Sequence, residues 1–219
     1  GAVVTYSPNA DFNGNDSFTF KTNDGTAWSV SAGTNTINVA AVNDAPLFSL
    51  SGDVTVEEDF STTQEVIVTT REVPSDEIDQ TVTYSISPTS VDFASVSIDS
   101  STGQVSISSV SHGNGYQLFT VTADDHQSAN NTASQTFTLT VTEVNDAPVA
   151  SGQSVSTDED TPIIITLTAT DVDNEGSSLT YSLVGQPPHG TLSGTAPNLT
   201  YTPHADYSGN DSFTFKAND

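Results

Sequence analysis

Carboxylates and side-chain amides gather at a few points of this chain in patterns that suit a hard divalent cation. Asp171-x-Asp173 sets two acids one residue apart, and Glu57-Glu58-Asp59 and Asp158-Glu159-Asp160 are acidic triplets. The word Val-Asn-Asp-Ala-Pro occurs twice, at Val42–Pro46 and Val144–Pro148, the second preceded by Glu143. Calcium takes about six to eight oxygen ligands from carboxylates, carbonyls and Asn side chains. Clustered like charges destabilise a fold unless a cation neutralises them. The plainer reading is that scattered acids only keep a surface soluble.

Other chemistries find less support. Cysteine is absent, which removes disulfides, thiol catalysis and Cys-based metal sites. His112, His126, His189 and His204 all sit in turn-like contexts rather than at ligand spacing. Ser is abundant, yet no G-x-S-x-G and no spaced Ser/His/Asp set appears. Carboxylate pairs could imitate a glycosidase dyad, but a partial domain is too small to frame a sugar cleft. Trp28 and Tyr116 could stack on sugars, although packing in a core is the commoner role for lone aromatics. Asn15-Asp16-Ser17 and Asn210-Asp211-Ser212 match the glycosylation sequon and also lie inside a repeated motif that accounts for them.

The 219 residues carry 3 Lys+Arg and 28 Asp+Glu, for a formal net charge of -25. Such a surface repels nucleic acid and anionic membrane and attracts cations. It does not mean disorder here, because the 34% hydrophobic residues alternate with polar ones in runs rich in Val, Ile, Thr, Tyr and Phe. No apolar run approaches the ~20 residues of a membrane helix. No signal peptide opens the sequence, but an internal fragment would carry neither feature.

Repetition sets the organisation. Residues 5–24 (TYSPNADFNGNDSFTFKTND) return at 200–219 (TYTPHADYSGNDSFTFKAND), an offset of 195. The Val-Asn-Asp-Ala-Pro words are offset by 102 and the acidic triplets by 101. The unit is therefore about 100 residues long, with two variants alternating. Val-Asn-Asp-Ala-Pro is the linker, since Asn-Asp favours a turn and Pro ends the preceding strand. A complete domain is expected over 45–146, the closing part of one over 1–44 and the opening part of another over 147–219. Alternation predicts strands at 53–57, 65–70, 81–86, 94–98, 104–108, 116–123 and 136–144, which is a two-sheet sandwich. Phe18 and Phe20, like Phe213 and Phe215, share one strand face and are expected in the core. Gly14 and Gly209 permit the turn before that strand. Asp16 and Asp211 either bond amides of that turn or bind calcium.

Several stretches resemble cadherin repeats, whose linkers read D-x-N-D-N-x-P. Glu143-Val144-Asn145-Asp146-Ala147-Pro148 is similar; Ile98–Val105 resembles I-D-x-x-T-G-x-I; Val121–Asp125 resembles V-x-A-x-D; and Ala169–Asp173 with Leu179–Ser182 resembles A-x-D-x-D…Y-S. The motif Tyr-x-Pro-x-x-x-aromatic-x-Gly-x-Asp-x-Phe-x-Phe, at Tyr6–Phe20 and Tyr201–Phe215, looks like that of bacterial cadherin-like or tandem-95 repeats of large surface adhesins. Departures exist: Ser111–Gly115 holds no carboxylate where cadherins carry D-x-E, and Ala41 stands where the second linker has Glu143. Fewer calcium ions per junction than in cadherins are expected.

The resemblance implies an all-β fold of tandem immunoglobulin/cadherin-like Greek-key sandwiches with Ca2+ at the junctions. At the second junction it assigns Glu58 from one domain, Glu143, Asn145 and Asp146 from the linker, and Asp171, Asp173 and Asp219 from the next. At the first it assigns Asn43, Asp44 and Asp125, with Asp76, Glu77 or Asp79 in place of the D-x-D pair and Asp16 or Asp24 above. The function implied is a non-catalytic extender of an exported bacterial surface or filamentous adhesin. The alternative is a calcium-dependent polysaccharide-binding module. Expected partners are neighbouring repeats and a polysaccharide or cell surface, with neither nucleic acid nor membrane insertion. The partial ends fit either a window on a longer array or head-to-tail completion by another copy.

Overall fold

The computed structural model describes residues 3–71, 73–173 and 179–219, and every regular element among them is a β-strand. The chain divides into two compact units, Gly1–Thr142 and Glu143–Asp219.

The first unit opens with a hairpin of β1 (Gly14–Phe20) and β2 (Gly33–Val39), and a sandwich follows. One sheet has the order β4 (Val54–Glu57), β11 (Thr132–Thr142), β10 (Gly115–Asp124), β7 (Thr83–Ser87). The other has β5 (Gln64–Val66), β9 (Val105–Ser109), β8 (Ala94–Ile98), and β3 (Phe48–Leu50) pairs with β6 (Val68–Thr70). Every strand expected from alternation is present. The predicted 65–70 strand is broken at Ile67, which is exposed, and the three-residue β3 is too short to show a period.

The period-two pattern explains the core. Phe137, Leu139 and Val141 alternate inward along β11, and Phe119, Val121 and Ala123 do so along β10. They face Val66, Val105 and Ile107 of the opposite sheet, all fully buried. Phe119 stacks on Phe137 with centroids 5.3 Å apart, and Phe48 meets Tyr84 edge-on at 5.8 Å. The last strand, β11, has two neighbours: β10 antiparallel over ten residues and β4 parallel, Leu139↔Val54 to Thr142↔Glu57.

The second unit has β12 (Val149–Ser151) on β14 (Thr168–Thr170), β13 (Ile163–Thr166) on β17 (Asn198–Pro203) and β17 on β16 (Gly190–Thr195), and β15 (Thr180–Gly185) on β18 (Thr214–Asn218). Ile165, Leu167 and Leu199 form its buried centre, flanked by half-buried Tyr201, Phe213 and Phe215. The expectation that Phe18 and Phe20 are core is not met in the first copy of the motif. Phe18 is half-buried and Phe20 is 43% exposed, because among the described residues β1 and β2 pair only with each other and no second sheet packs against them. Trp28 and Tyr116, expected as packing aromatics, are 65% and 75% exposed.

The equivalent positions Ile37 and Leu139 measure that difference. Leu139→Ala should lower the unfolding free energy of the first unit by about 2–5 kcal/mol, as for a fully buried Leu. Ile37→Ala on the unbacked hairpin should cost under ~1 kcal/mol. Equal losses of the two in urea titrations would contradict this description of the core.

Candidate metal centre

At the first linker two buried carboxylates converge on consecutive residues. Glu77 and Asp125 are 6% and 3% exposed. The Asp44 amide donates to Glu77 Oε1 at 2.5 Å, and Asn43 Nδ2 donates to Asp125 Oδ2 at 3.0 Å. Asn43 Nδ2 also lies within reach of the Ala129 and Asn130 carbonyls, at 3.0 and 3.1 Å. Gln80 Nε2 donates to Asn43 Oδ1 at 2.8 Å, and Asn130 Nδ2 donates to the Asn43 carbonyl at 3.0 Å. Asp125 Oδ1 takes the Gln127 amide. The donors to both carboxylates are thus neutral amides, which orient the oxygens without balancing their charge.

The structure therefore brings Asn43, Asp44, Glu77 and Asp125 together. Of the three candidates for the D-x-D role, Glu77 is the buried one, whereas Asp76 and Asp79 are exposed. The pairings Phe48↔Thr70 and Val149↔Thr170 align Arg71 with Asp171. Four extra residues then separate Thr70 from Glu77 relative to Thr170 and Asp173. Asp24, proposed to help from above, accepts the Thr26 and Ala27 amides on one oxygen, at 2.8 and 2.9 Å. The Ala27 and Thr26 bonds hold its carboxyl below the usual range.

The second linker repeats one contact. The Asp146 amide donates to Asp173 Oδ2 in a very short hydrogen bond, as Asp44 does to Glu77. Asp171 Oδ1 accepts the Asp173 amide at 3.1 Å. Asp171 Oδ2 is buried and has no hydrogen-bond partner among the described residues. Glu143 and Asn145 are exposed, with Asn145 Nδ2 near the Asp146 carbonyl at 3.2 Å, and Asp219 is exposed just after β18. Glu58 belongs to the first unit, where it is 6% exposed and its amide bonds to the Thr142 carbonyl. A buried carboxylate oxygen without a donor costs free energy unless a proton or a cation meets it. The oxygen-only donor set suits calcium rather than zinc or copper.

The repeated motif itself is a different kind of site. Tyr201 OH donates to Asp211 Oδ2 at 2.8 Å, and Tyr6 OH donates to Asp16 Oδ2 at 2.9 Å. Asp211 also accepts the Ser212 and His189 amides, and Asp16 accepts the Ser17 amide. Of the two readings of these acids, the geometry shows amide bonding. The tyrosine partner was not anticipated, although the constant ten-residue spacing from Tyr to Asp carries it. Asp99 likewise accepts the Ser101 hydroxyl and the Ser101 and Thr102 amides, which hold its carboxyl below the usual range.

Residues 145–219 match the family model described as bacterial Ig domain. Among solved structures the chain is similar to human CDH23 EC21-23, at TM-score 0.50 and 20% identity over 95% of this chain and 75% of that one. It is similar to mouse cadherin-23 EC22-24, at TM-score 0.51 and 21% identity over 89% of this chain and 65% of that one. It is also similar to protocadherin gamma B2 extracellular cadherin domains 1-5, at TM-score 0.54 and 12% identity over 94% and 45%. At these identities the likeness is one of fold. The chain spans less than two thirds of the last two, and no curated protein sequence matches it.

The Tyr–Asp pair makes stability depend on pH at both ends. Burial first, then the Asp211 carboxylate, pushes the Tyr201 phenol up to about 12. Burial also pulls Asp211 up, but the Tyr201 hydroxyl and the Ser212 and His189 amides outweigh it and lower the carboxyl. A raised phenol stabilises fully below its ordinary value of 10 and loses that contribution as pH rises from there to about 12. A lowered carboxyl contributes above its ordinary value of 3.8 and loses this as pH falls through its folded value. Tyr201→Phe should abolish the alkaline loss and move the Asp211 titration, followed by carboxyl NMR, toward higher pH. An Asp211 titration indifferent to that change would disprove the coupling.

Proposed function

We propose that this chain, whose residues 145–219 are a bacterial Ig domain and whose fold is that of cadherin ectodomains, is a non-catalytic extender segment of an exported surface protein with calcium-stiffened linkers. Its parts are the closing part of a repeat over 1–44, a complete repeat over 45–146 and the opening part of a third over 147–219. The observation that carries the reading is the unpartnered buried Oδ2 of Asp171 beside Asp173 and the Asp146 amide. Asp146, Asp171 and Asp173 would hold the ion at the second linker, with Glu58, Glu143, Asn145 and Asp219 as further ligands. Asn43, Asp44, Glu77 and Asp125 would hold it at the first. Bound calcium supplies charge neutralisation. The residues themselves fix the linker against its domain through the Asn43–Asp125 and Asp44–Glu77 bonds. Arg71 at the place of Asp171 favours weaker binding at the first linker than at the second.

Affinities near ~10⁻⁴–10⁻³ M are expected, as for extracellular calcium modules. About 10 mM calcium would then stabilise the folded state by roughly 1.4–2.7 kcal/mol per site. Calorimetry should show binding to the native chain that Asp171→Asn or Asp173→Asn removes at the second linker and Asp99→Asn leaves intact. Small-angle scattering should report a stiffer particle in calcium than in chelator. Full binding by Asp173→Asn, or identical scattering in both conditions, would sink the assignment.

A second reading, a polysaccharide-binding module, draws on the exposure of Trp28 and Tyr116. Aromatic faces in water are suited to stacking on sugar rings. Reproducible glycan-array binding lost in both Trp28→Ala and Tyr116→Ala would favour it over the extender.

A further inference from the structure

The strand β10 is paired unevenly. It meets β11 along its whole length, Gly115–Asp124, but meets β7 only from Thr120↔Ser87 to Asp124↔Thr83. β7 ends at Ser87, and Pro88 has no amide with which to continue the ladder. Among the described residues no strand pairs with Gly115–Phe119 on the side away from β11. All the residues involved lie in the sandwich of the first unit, between Thr83 and Thr142.

The direction of the backbone groups follows from the bonds on either side. Successive residues of a strand turn their amide and carbonyl to opposite neighbours. The Thr138 amide goes to Asp53 Oδ1 and the Thr142 carbonyl takes the Glu58 amide, both on the β4 side of β11. Leu139 and Val141 therefore face β10, and their partners Gln117 and Gly115 face them. By the same alternation the backbones of Tyr116 and Leu118 face the open side. There the Gln117 side chain donates Nε2 to the Leu118 carbonyl at 2.7 Å, standing where a strand would be. The Tyr116 and Leu118 amides have no protein partner among the described residues.

Two large side chains stand beside this edge. Tyr116 and Leu118 lie on the outward face of the sheet, opposite Thr140 and Thr138, and are 75% and 51% exposed. Open strand edges are commonly blunted by Lys, Pro, a bulge or a charge, and Gly115–Phe119 carries none of these. No charged residue lies between His112 and Asp124, in a chain with 28 Asp+Glu. An uncharged segment is where two chains of formal charge -25 can meet with least repulsion. The segment Gly115-Tyr116-Gln117-Leu118-Phe119 is also complementary to itself. Laid antiparallel on a second copy about Gln117, Tyr116 stands opposite Leu118 of the other chain and Gln117 opposite Gln117. The Tyr116 and Leu118 amides of each copy then reach the Leu118 and Tyr116 carbonyls of the other. A carbonyl has two lone pairs, so the Gln117 side chain need not leave. Residues directly opposite share a face, which gathers both Tyr116 and both Leu118 side chains into one apolar cluster.

We propose that the open edge of β10 is a dimerisation site, and that its occupant is the same edge of a second copy of this chain, antiparallel about a two-fold axis at Gln117. The contact is isologous, so it joins two four-stranded sheets into one and closes there. It uses none of the linker carboxylates, and its test is run in chelator so that it stands or falls apart from the calcium reading.

Contacts this small are weak, so sedimentation equilibrium of the full chain should extend to about 1 mM. It should show a monomer–dimer equilibrium that goes no further and that strengthens with salt, which screens the repulsion between two acidic chains. Leu118→Asp alters an exposed side chain outside the core. It should weaken the dimer by about 10-fold or more, since it sets a charge opposite Tyr116 on both sides of the axis. Hydrogen exchange reads the backbone. The Tyr116 and Leu118 amides should slow as the dimer fills, while those of Gln117 and Phe119, which face β11, should change little. A chain that stays monomeric overturns the proposal, even where an unrelated extended peptide protects the same amides, because the occupant would then not be a second copy. A dimer that Leu118→Asp leaves intact, or whose formation leaves the Tyr116 and Leu118 amides unprotected, overturns it as well.

Discussion

The complete sandwich depends on its last strand being paired along both edges. In the complete sandwich β11 satisfies the backbone of β10 on one side and of β4 on the other, and it puts Phe137, Leu139 and Val141 into the core. Backbone amides and carbonyls must find partners, and a strand gains little from its own propensity until they do. Where that strand is present, its neighbours are regular over their full length. The heptapeptide Gly14–Phe20, all strand beside β2, recurs identically at Gly209–Phe215, where strand begins only at Thr214. The β-structure here is conditional on a partner strand.

The acids divide by the same kind of accounting. In a chain of formal charge -25, with only Lys21, Arg71 and Lys216 to offset it, most carboxylates must meet neutral donors. Asp99, Asp24 and Asp211 do so within a turn or through a tyrosine, and each has its carboxyl lowered as a result. Such groups are at ease without a cation. Glu77, Asp125 and Asp173 differ because each accepts a donor from Asp44, Asn43 or Asp146 of the Val-Asn-Asp-Ala-Pro words. Asp171 differs further, since one of its oxygens is buried without a donor. The distinction between a turn acid and a ligand acid lies in what the carboxylate accepts from, not in its residue type.

That distinction fixes how far the sequence could be read. Alternation and the 195- and 102-residue offsets were sufficient for the fold, because a period-two pattern determines which face of a strand is buried. They could not place Phe20, whose burial depends on a second sheet that the hairpin lacks. Nor could they choose Glu77 over Asp76. The two are adjacent, and the choice rests on which one a four-residue insertion turns toward the Asp44 amide. The Tyr6–Asp16 and Tyr201–Asp211 pairs were visible as a constant spacing but not as a contact.

The insertion also bears on why the two linkers are built alike yet not identically. The backbone contact is conserved in kind, an Asp amide on an acidic side chain one loop away, with Glu77 reaching where Asp173 stands. What changes is the first acid of the pair, whose place after β6 is taken by Arg71. A guanidinium near a site repels a divalent ion, where a carboxylate at the same place would bind it. Under the calcium reading proposed above, the two linkers would then differ in affinity, the second binding the more tightly. The linker followed by the complete Asp171-x-Asp173 pair would stiffen at lower calcium than the one with Arg71 in place of Asp171.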